Sequence, residues 1–263
     1  MNDLKISVLP LDIAWGDIEE NVFATERQLR KIEKGTDIVV LPELFNTGFI
    51  TSPEMLRVMA EDASDSATMS SLRRWAKKYN FAIVGTMLVK DGNNIFNRGF
   101  FVEPSGETTY YDKKHLFCMS AESTTLTPGS EPIPVVRYRG WNIALAICYE
   151  VRFPVWLRNT DNRYDILIFP ANWPESRSYA WKHLLIARAI ENQAYVVGVN
   201  RLGKDDGGSY DGSSYIIDYK GRIEASAGLP DAKCISAVLN RERLLHYRSS
   251  FPVIRDADNF KLV

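Results

Sequence analysis

The feature that most constrains this chain is that its two halves carry the same succession of apolar segments. Asp37-Ile-Val-Val-Leu-Pro42 is matched by Asp165-Ile-Leu-Ile-Phe-Pro170, and Ala82-Ile-Val-Gly85 by Tyr195-Val-Val-Gly198. Phe100-Phe-Val-Glu103 followed by Gly106 is matched by Tyr215-Ile-Ile-Asp218 followed by Gly221, and Lys5 to Leu9 corresponds to Asn142 to Ala146. Short β-branched runs bounded by Pro and Gly read as strands buried on both faces. Each half therefore reads strand, helix, strand, helix, strand, hairpin. Two such halves sharing one core predict an α/β protein of four layers, an αββα sandwich in which two stacked mixed sheets are flanked by helices.

Between the repeated strands the periodicity changes. Ile18, Val22, Thr25, Leu29 and Ile32 recur at helical steps, with Asp17 as N-cap and Gly35 as the stop. Met69, Leu72, Ala76 and Tyr79 make a second helical stripe, and Trp181, Leu184, Leu185 and Ala189 a third, ending near Asn192. Asp91-Gly-Asn-Asn94 marks a hairpin. The segment from Asp112 to about Pro134 is loop-rich, Cys234 to Leu239 is a last strand, and the tail from Arg241 is mixed and aromatic. That tail is either a docking arm for a partner subunit or a terminus lying on the surface.

Composition excludes several classes. A formal charge of -1 leaves no electrostatic footprint for nucleic acid or an anionic membrane. No uncharged apolar run approaches the roughly 20 residues of a membrane span, and the start, Met-Asn-Asp-Leu-Lys-Ile-Ser-Val, lacks the pattern of a signal peptide. The 3 cysteines, Cys118, Cys148 and Cys234, are widely spaced and make neither a disulfide framework nor a metal knuckle. The expectation is a cytoplasmic protein with no metal and no cofactor.

One strand of the second half ends on chemistry. Trp141-Asn-Ile-Ala-Leu-Ala-Ile-Cys148 delivers a thiol to the point where polar residues and Pro154 begin a turn. Reactive groups of α/β folds sit at such strand ends. Acyl transfer through a cysteine needs a base for the thiol, positive charge or N–H donors for the oxyanion, and a proton for the leaving amine. Glu43 follows Pro42, where the repeat has Ala171 after Pro170, so this carboxylate is not needed to fold that motif. Lys113 and Lys114 stand together in Tyr-Asp-Lys-Lys-His-Leu-Phe.

These three segments, in this order on a duplicated pattern, resemble the nitrilase or carbon–nitrogen hydrolase superfamily, with its Glu-Lys-Cys triad. The resemblance spans residues 1–263 as one domain, with about 241–263 as a C-terminal arm. It implies Glu43, Lys113 and Cys148 as the catalytic set, the family's spacing to His-Leu selecting Lys113 over Lys114. It further implies Glu122 as a second glutamate bonded to the lysine, and the Tyr149 N–H as oxyanion donor beside Lys113. Family members usually dimerise through helices near the nucleophile, so a homodimer is expected. Pro170-Ala-Asn-Trp-Pro174 with Arg177 and Trp181 resembles the omega-amidase branch, which hydrolyses the terminal amide of α-keto dicarboxylic monoamides such as α-ketoglutaramate. The partner is then a small-molecule amide. Its far carboxylate suits a guanidinium, and Arg177 is the candidate, with Phe117, Trp173 and Tyr149 walling the pocket.

Three rivals remain at this point: another hydrolase of the superfamily (nitrilase, carbamoylase or aliphatic amidase), a catalytically silent binding module, and a Cys118–His115 enzyme. Cys118 has no strand to position it, and Cys234 reads as inert core.

Overall fold

The repeat is visible strand by strand in the computed structural model, which describes residues 3–258 and 260. In chain order the first half comprises β1 (Asp3–Val8), α1 (Ile18–Leu29), β2 (Ile38–Val40), α2 (Pro53–Met59), β3 (Glu61–Asp62), α3 (Ala67–Tyr79), β4 (Ala82–Asp91), β5 (Asn94–Val102) and β6 (Thr108–Asp112). The short helix α4 (Glu122–Thr125) leads to the second half: β7 (Val135–Tyr138), β8 (Trp141–Leu145), β9 (Ile166–Ala171), α5 (Ser178–Asn192) and β10 (Tyr195–Asn200). A small hairpin of β11 (Leu202–Asp205) and β12 (Gly208–Asp211) precedes β13 (Ser214–Ile217), β14 (Ile223–Ala227), β15 (Ile235–Asn240) and α6 (Arg241–Ser250).

One sheet runs β15-β1-β2-β4-β5-β6 with β3 attached to β4; the other runs β7-β8-β9-β10-β13-β14. The pairings match position for position. β1, β2 and β4 are parallel, as are β8, β9 and β10; the flanking strands β15, β5 and β6 are antiparallel, as are β7, β13 and β14. The two-residue period divides the first sheet between two cores. Ile6, Val8, Ile38, Val40, Ala82 and Val84 pack with Ile143, Leu145, Ile166 and Ile168 of the second sheet. The alternating Val39, Ile83, Phe100 and Val102 pack with Leu29 of α1 and Leu72, Trp75 and Ala76 of α3. Trp181, Leu185 and Ala189 of α5 cover the second sheet from outside. The glycines that recur in the repeat are close-approach sites: a Cβ at Gly198 would lie 2.5 Å from Leu185, and one at Gly85 2.9 Å from Phe100.

Several expectations are corrected. The first helix stops at Leu29 with Arg30 as cap, before Gly35, which instead makes a turn at φ +80°. The second half has no α-helix between β8 and β9; 3-10 turns at Cys148–Arg152 and Thr160–Asn162 replace it. The strand carrying the thiol ends at Leu145, although the Ala146 N–H still bonds the Ile168 carbonyl at 3.0 Å. The loop-rich segment contains α4, and α2 and β3 are additional. Cys234 lies just outside β15 and is half-buried, its thiol pushed up to about 11, first by burial. The tail from Arg241 begins as α6 and docks on its own fold. Arg248 pairs with Asp165 at 2.8 Å and donates to the carbonyls of Tyr164 and Gln193. The end of the expected arm, 259 and 261–263, lies outside the described residues.

Candidate active site

Three parallel strands end at one place. Glu43 follows β2, Cys148 follows β8 and Asn172 follows β9, all at carboxyl ends, where open α/β sheets carry ligand sites. Lys113 follows β6 directly. The chain turns sharply at both acid and thiol: Leu44, next to Glu43, has φ +48°, and Cys148 itself has φ +43°. Non-glycine residues seldom hold the left-handed region, and such strain gathers at functional sites. The turn at Cys148 is pinned by Glu150. This fully buried carboxylate accepts the Ile147 N–H at 2.8 Å, the Tyr111 hydroxyl at 2.6 Å, and the N–H groups of Lys114 and His115 at 3.1 and 3.3 Å. Glu150 thereby fastens the lysine-bearing loop to the cysteine-bearing turn.

Glu43, Lys113 and Glu122 are 1%, 1% and 2% exposed, so their charges must be answered internally. Lys113 Nζ donates to Glu43 Oε1 at 2.9 Å and to Glu122 Oε1 and Oε2 at 2.8 and 3.0 Å. Asn97 Nδ2 spans the same two carboxylates, at 2.8 Å from Glu43 Oε1 and 3.1 Å from Glu122 Oε1. The second oxygens are met by backbone: the Asn172 N–H donates to Glu43 Oε2 at 2.9 Å and the Phe117 N–H to Glu122 Oε2 at 2.7 Å. The Asn172 side chain also donates to the Glu43 carbonyl at 2.6 Å.

Two pKa directions follow from this packing. Burial, then the Glu43 carboxylate, push the Cys148 thiol well above its ordinary value, with Lys113 opposing. Burial alone would push Lys113 down, but Glu122 and Glu43 outweigh it and hold the ammonium above its ordinary range. The resting site therefore favours a thiol that keeps its proton beside an ammonium that keeps its charge. An ammonium has three N–H donors. Three carboxylate oxygens receive them here, Glu43 Oε1 and both oxygens of Glu122, so a ligand oxygen meets this charge by sharing or displacing one of the Glu122 bonds.

These groups open into a cavity of about 340 Å³, whose lining includes Glu43, Lys113, Phe117, Cys148, Tyr149, Trp173 and Arg177. Thus seven of the eight expected site residues share one cavity, and Glu122 stands directly behind Lys113. The Tyr149 N–H sits in the first turn of the 3-10 helix, where N–H groups lack intrahelical acceptors. Arg177 lies over the Phe117 ring at 5.3 Å, and Trp173 stacks on Trp181 at 5.2 Å. Phe117 also meets Tyr149 edge-on at 5.3 Å.

Sequence reasoning passed over four contributors. Asn97 and Asn172 bond the carboxylates as described. Arg152 lines the cavity with its guanidinium 5.0 Å from the Trp173 ring centre. Tyr210 enters from the β11–β12 hairpin, held by Asp205 at 3.0 Å, which in turn pairs with buried Arg201 at 2.6 Å. Arg152 lies in the turn between Cys148 and Pro154, but nothing in its spacing distinguishes a turn residue from a cavity wall. The rival pair separates: His115 stacks on Phe153 and faces Glu150, while Cys118 is exposed. Among the described residues no cluster of His, Cys, Asp and Glu could hold a metal, and no helix is long and apolar enough to cross a membrane.

Comparison with known proteins gives the family. The family model described as carbon-nitrogen hydrolase matches residues 5–248, a span containing every site residue above. The chain is 40% identical to the omega-amidase YafV of Yersinia enterocolitica, over 100% of both chains. It is 35% identical to the 2-oxoglutaramate amidase of Bacillus subtilis, over 95% of this chain and 96% of that one. A crystal structure of a CN-hydrolase superfamily protein from Xanthomonas campestris, with an arsenic adduct in its active site, superposes with a TM-score of 0.94 at 35% identity over 100% of both chains. With matches of this length and a fold laid out in two equivalent halves, the chain belongs to the carbon–nitrogen hydrolase family and is an enzyme of that family.

Proposed function

We propose that this enzyme is an omega-amidase: it hydrolyses the terminal amide of α-keto dicarboxylic monoamides such as α-ketoglutaramate, through a thioester on Cys148. One observation carries this assignment. The cavity joins a buried end holding Glu43, Lys113 and Cys148 to an exposed end holding two guanidiniums, Arg152 and Arg177, which have no acidic partner among the described residues. A substrate with an amide at one end and a carboxylate at the other fits that polarity. The names of the two relatives point the same way.

The reaction follows in two halves. Glu43 takes the Cys148 proton as sulfur attacks the amide carbon; Lys113 and the Tyr149 N–H receive the oxyanion. Glu43 returns the proton to the departing nitrogen, the C–N bond breaks, and ammonia leaves a thioester. Water then gives a proton to Glu43, its oxygen attacks the thioester carbon, and the C–S bond breaks to release the acid and the thiol. Glu122 holds Lys113 against the site throughout. Attack by a thiol made nucleophilic only in the presence of substrate matches the raised resting value of Cys148.

The test is ammonia release from α-ketoglutaramate, set against glutamine, an aliphatic nitrile and an N-carbamoyl amino acid. The keto amide should show the highest kcat/KM, and a preference for the nitrile or the carbamoyl compound would overturn the assignment. In the same assay Arg177→Ala should raise KM for the keto amide about tenfold or more, with kcat changed far less; an unchanged KM would remove Arg177 from that role.

The enzyme is further read as a cytoplasmic homodimer. Its three thiols are free, as a reducing compartment would keep them. Tyr179 and Ile190 of α5 are exposed, giving the helix near the nucleophile an apolar outer side. Sedimentation should give twice the chain mass; a monomer at micromolar concentration would refute the dimer.

A further inference from the structure

We propose that Asn97 is a positioning residue for the reaction: with Lys113 it occupies one oxygen of Glu43, so that proton transfer with Cys148 runs through the other. This inference rests on Glu43 acting as the base for Cys148.

A carboxylate oxygen offers two lone-pair directions. Both are filled at Glu43 Oε1, by Asn97 Nδ2 at 2.8 Å and Lys113 Nζ at 2.9 Å. At Oε2 one is filled, by the Asn172 N–H at 2.9 Å. The thiol of Cys148 meets the carbonyl of Asn172 at 3.8 Å, and the N–H of the same residue is the donor on Oε2, so the thiol is tied to the Oε2 side of the carboxylate, where the vacant direction lies. The two N–H groups of Asn97 are shared between Glu43 and Glu122, and Lys113 bridges the same two oxygens. Two carboxylates and two donors thus close a ring, and neither carboxylate rotates without breaking it. The amide orientation is forced, since turning it over would aim its oxygen at two anions.

Two further facts set Asn97 apart from a packing residue. Its carbonyl accepts the Lys113 N–H at 3.0 Å, so one residue fixes both the main chain and the charge partners of the lysine. Its side-chain Oδ1 is buried with no hydrogen-bond partner among the described residues. A fully apolar side chain would avoid that cost, and an uncompensated polar atom in a native core calls for a role. The charged and titratable groups facing Glu43 are Lys113, Glu122 and Cys148; His115 is engaged with Glu150.

The experiment compares the native enzyme with Asn97→Leu and Asn97→Asp, following the pH dependence of kcat/KM and, separately, of Cys148 alkylation by iodoacetamide. An ionised carboxylate that loses a donor takes a proton more readily. The acid limb of both profiles should therefore move up by about one pH unit in Asn97→Leu, with kcat falling about tenfold and KM changing less than about twofold. Asn97→Asp, which keeps the shape but adds negative charge, should move the limb in the same direction and further. Acid limbs superimposed on the native ones in a folded variant would overturn the proposal. If Asn97→Leu does not fold, the near-isosteric Asn97→Asp carries the test. Failure of the native enzyme to hydrolyse α-ketoglutaramate would sink the substrate assignment alone, because the alkylation profile requires no substrate.

Discussion

Cys148→Ala is expected to give a folded protein whose amide turnover is lowered at least ~10⁴-fold, the scale on which removal of a nucleophile acts. The loss should be this large because the cavity lining holds no second thiol among the described residues, only the hydroxyls of Thr51, Ser120, Tyr149 and Tyr210. The Ser120 hydroxyl donates to the Phe117 carbonyl, and Tyr210 is tied to Asp205. The fold should survive because sulfur contributes little to it: the Sγ contact to the Asn172 carbonyl is 3.8 Å long. The strained φ of +43° is imposed by the turn and is shared by Cys and Ala, since both carry a Cβ. Thermal melting within a few degrees of the native protein, together with absent ammonia release, is the expected pair of results. Mass spectrometry of quenched reactions should find the acyl group on the native chain and none on the variant. Turnover retained in Cys148→Ala would place the nucleophile elsewhere.

The fold was legible wherever a local pattern and its tertiary use coincide. The repeated Asp-to-Pro strands are buried on both faces, so their apolar runs are unmistakable, and the glycines that recur with them are required by packing. The missing second-half helix was not legible. After Cys148 the chain carries Tyr149, Val151 and Phe153 at two-residue steps that do not mark a helix, and the 3-10 turn is held by Glu150, which reaches back to the Ile147 N–H and is itself fixed by tertiary bonds from the Tyr111 hydroxyl and the Lys114 N–H. Helix α2 did leave a trace, Ser52-Pro53, with the Ser52 hydroxyl capping Met55 N–H at 3.3 Å. At the site, Glu43 and Cys148 stand out because each follows a strand end. Lys113 was separable from Lys114 only through the family resemblance; in three dimensions burial makes the distinction, one lysine enclosed and the other partly open. Asn97 had no sequence mark at all. It is one polar residue in an alternating strand, and its importance arises where β5, α4 and the end of β2 meet.

Lys113→Ala should damage both catalysis and stability, and the two effects have different physical origins. For catalysis, the ammonium is the charged half of the proposed oxyanion site, and loss of such a donor costs at least ~10²-fold in kcat. The cation also opposes the rise of the Cys148 thiol, so its removal makes proton loss from sulfur harder and slows alkylation at a given pH. For stability, Glu43 and Glu122 would remain buried at 1% and 2% exposure without their counter-charge. Breaking a buried ion pair from one side costs about 3–5 kcal/mol. The sign of the pH dependence follows from the lysine. Its folded value lies above the ordinary 10.5, so its contribution is fully present below 10.5 and fades as pH rises through the folded value. The difference in stability between native and variant protein should therefore be undiminished at pH 8 and shrink at strongly alkaline pH. Lys114→Ala is the control: its backbone N–H, which the substitution keeps, makes the bond to Glu150. Its kcat should stay within about threefold of native, as for substitutions away from buried features. Equal damage at both positions, or damage at Lys114 alone, would reverse the choice of lysine and with it the oxyanion site.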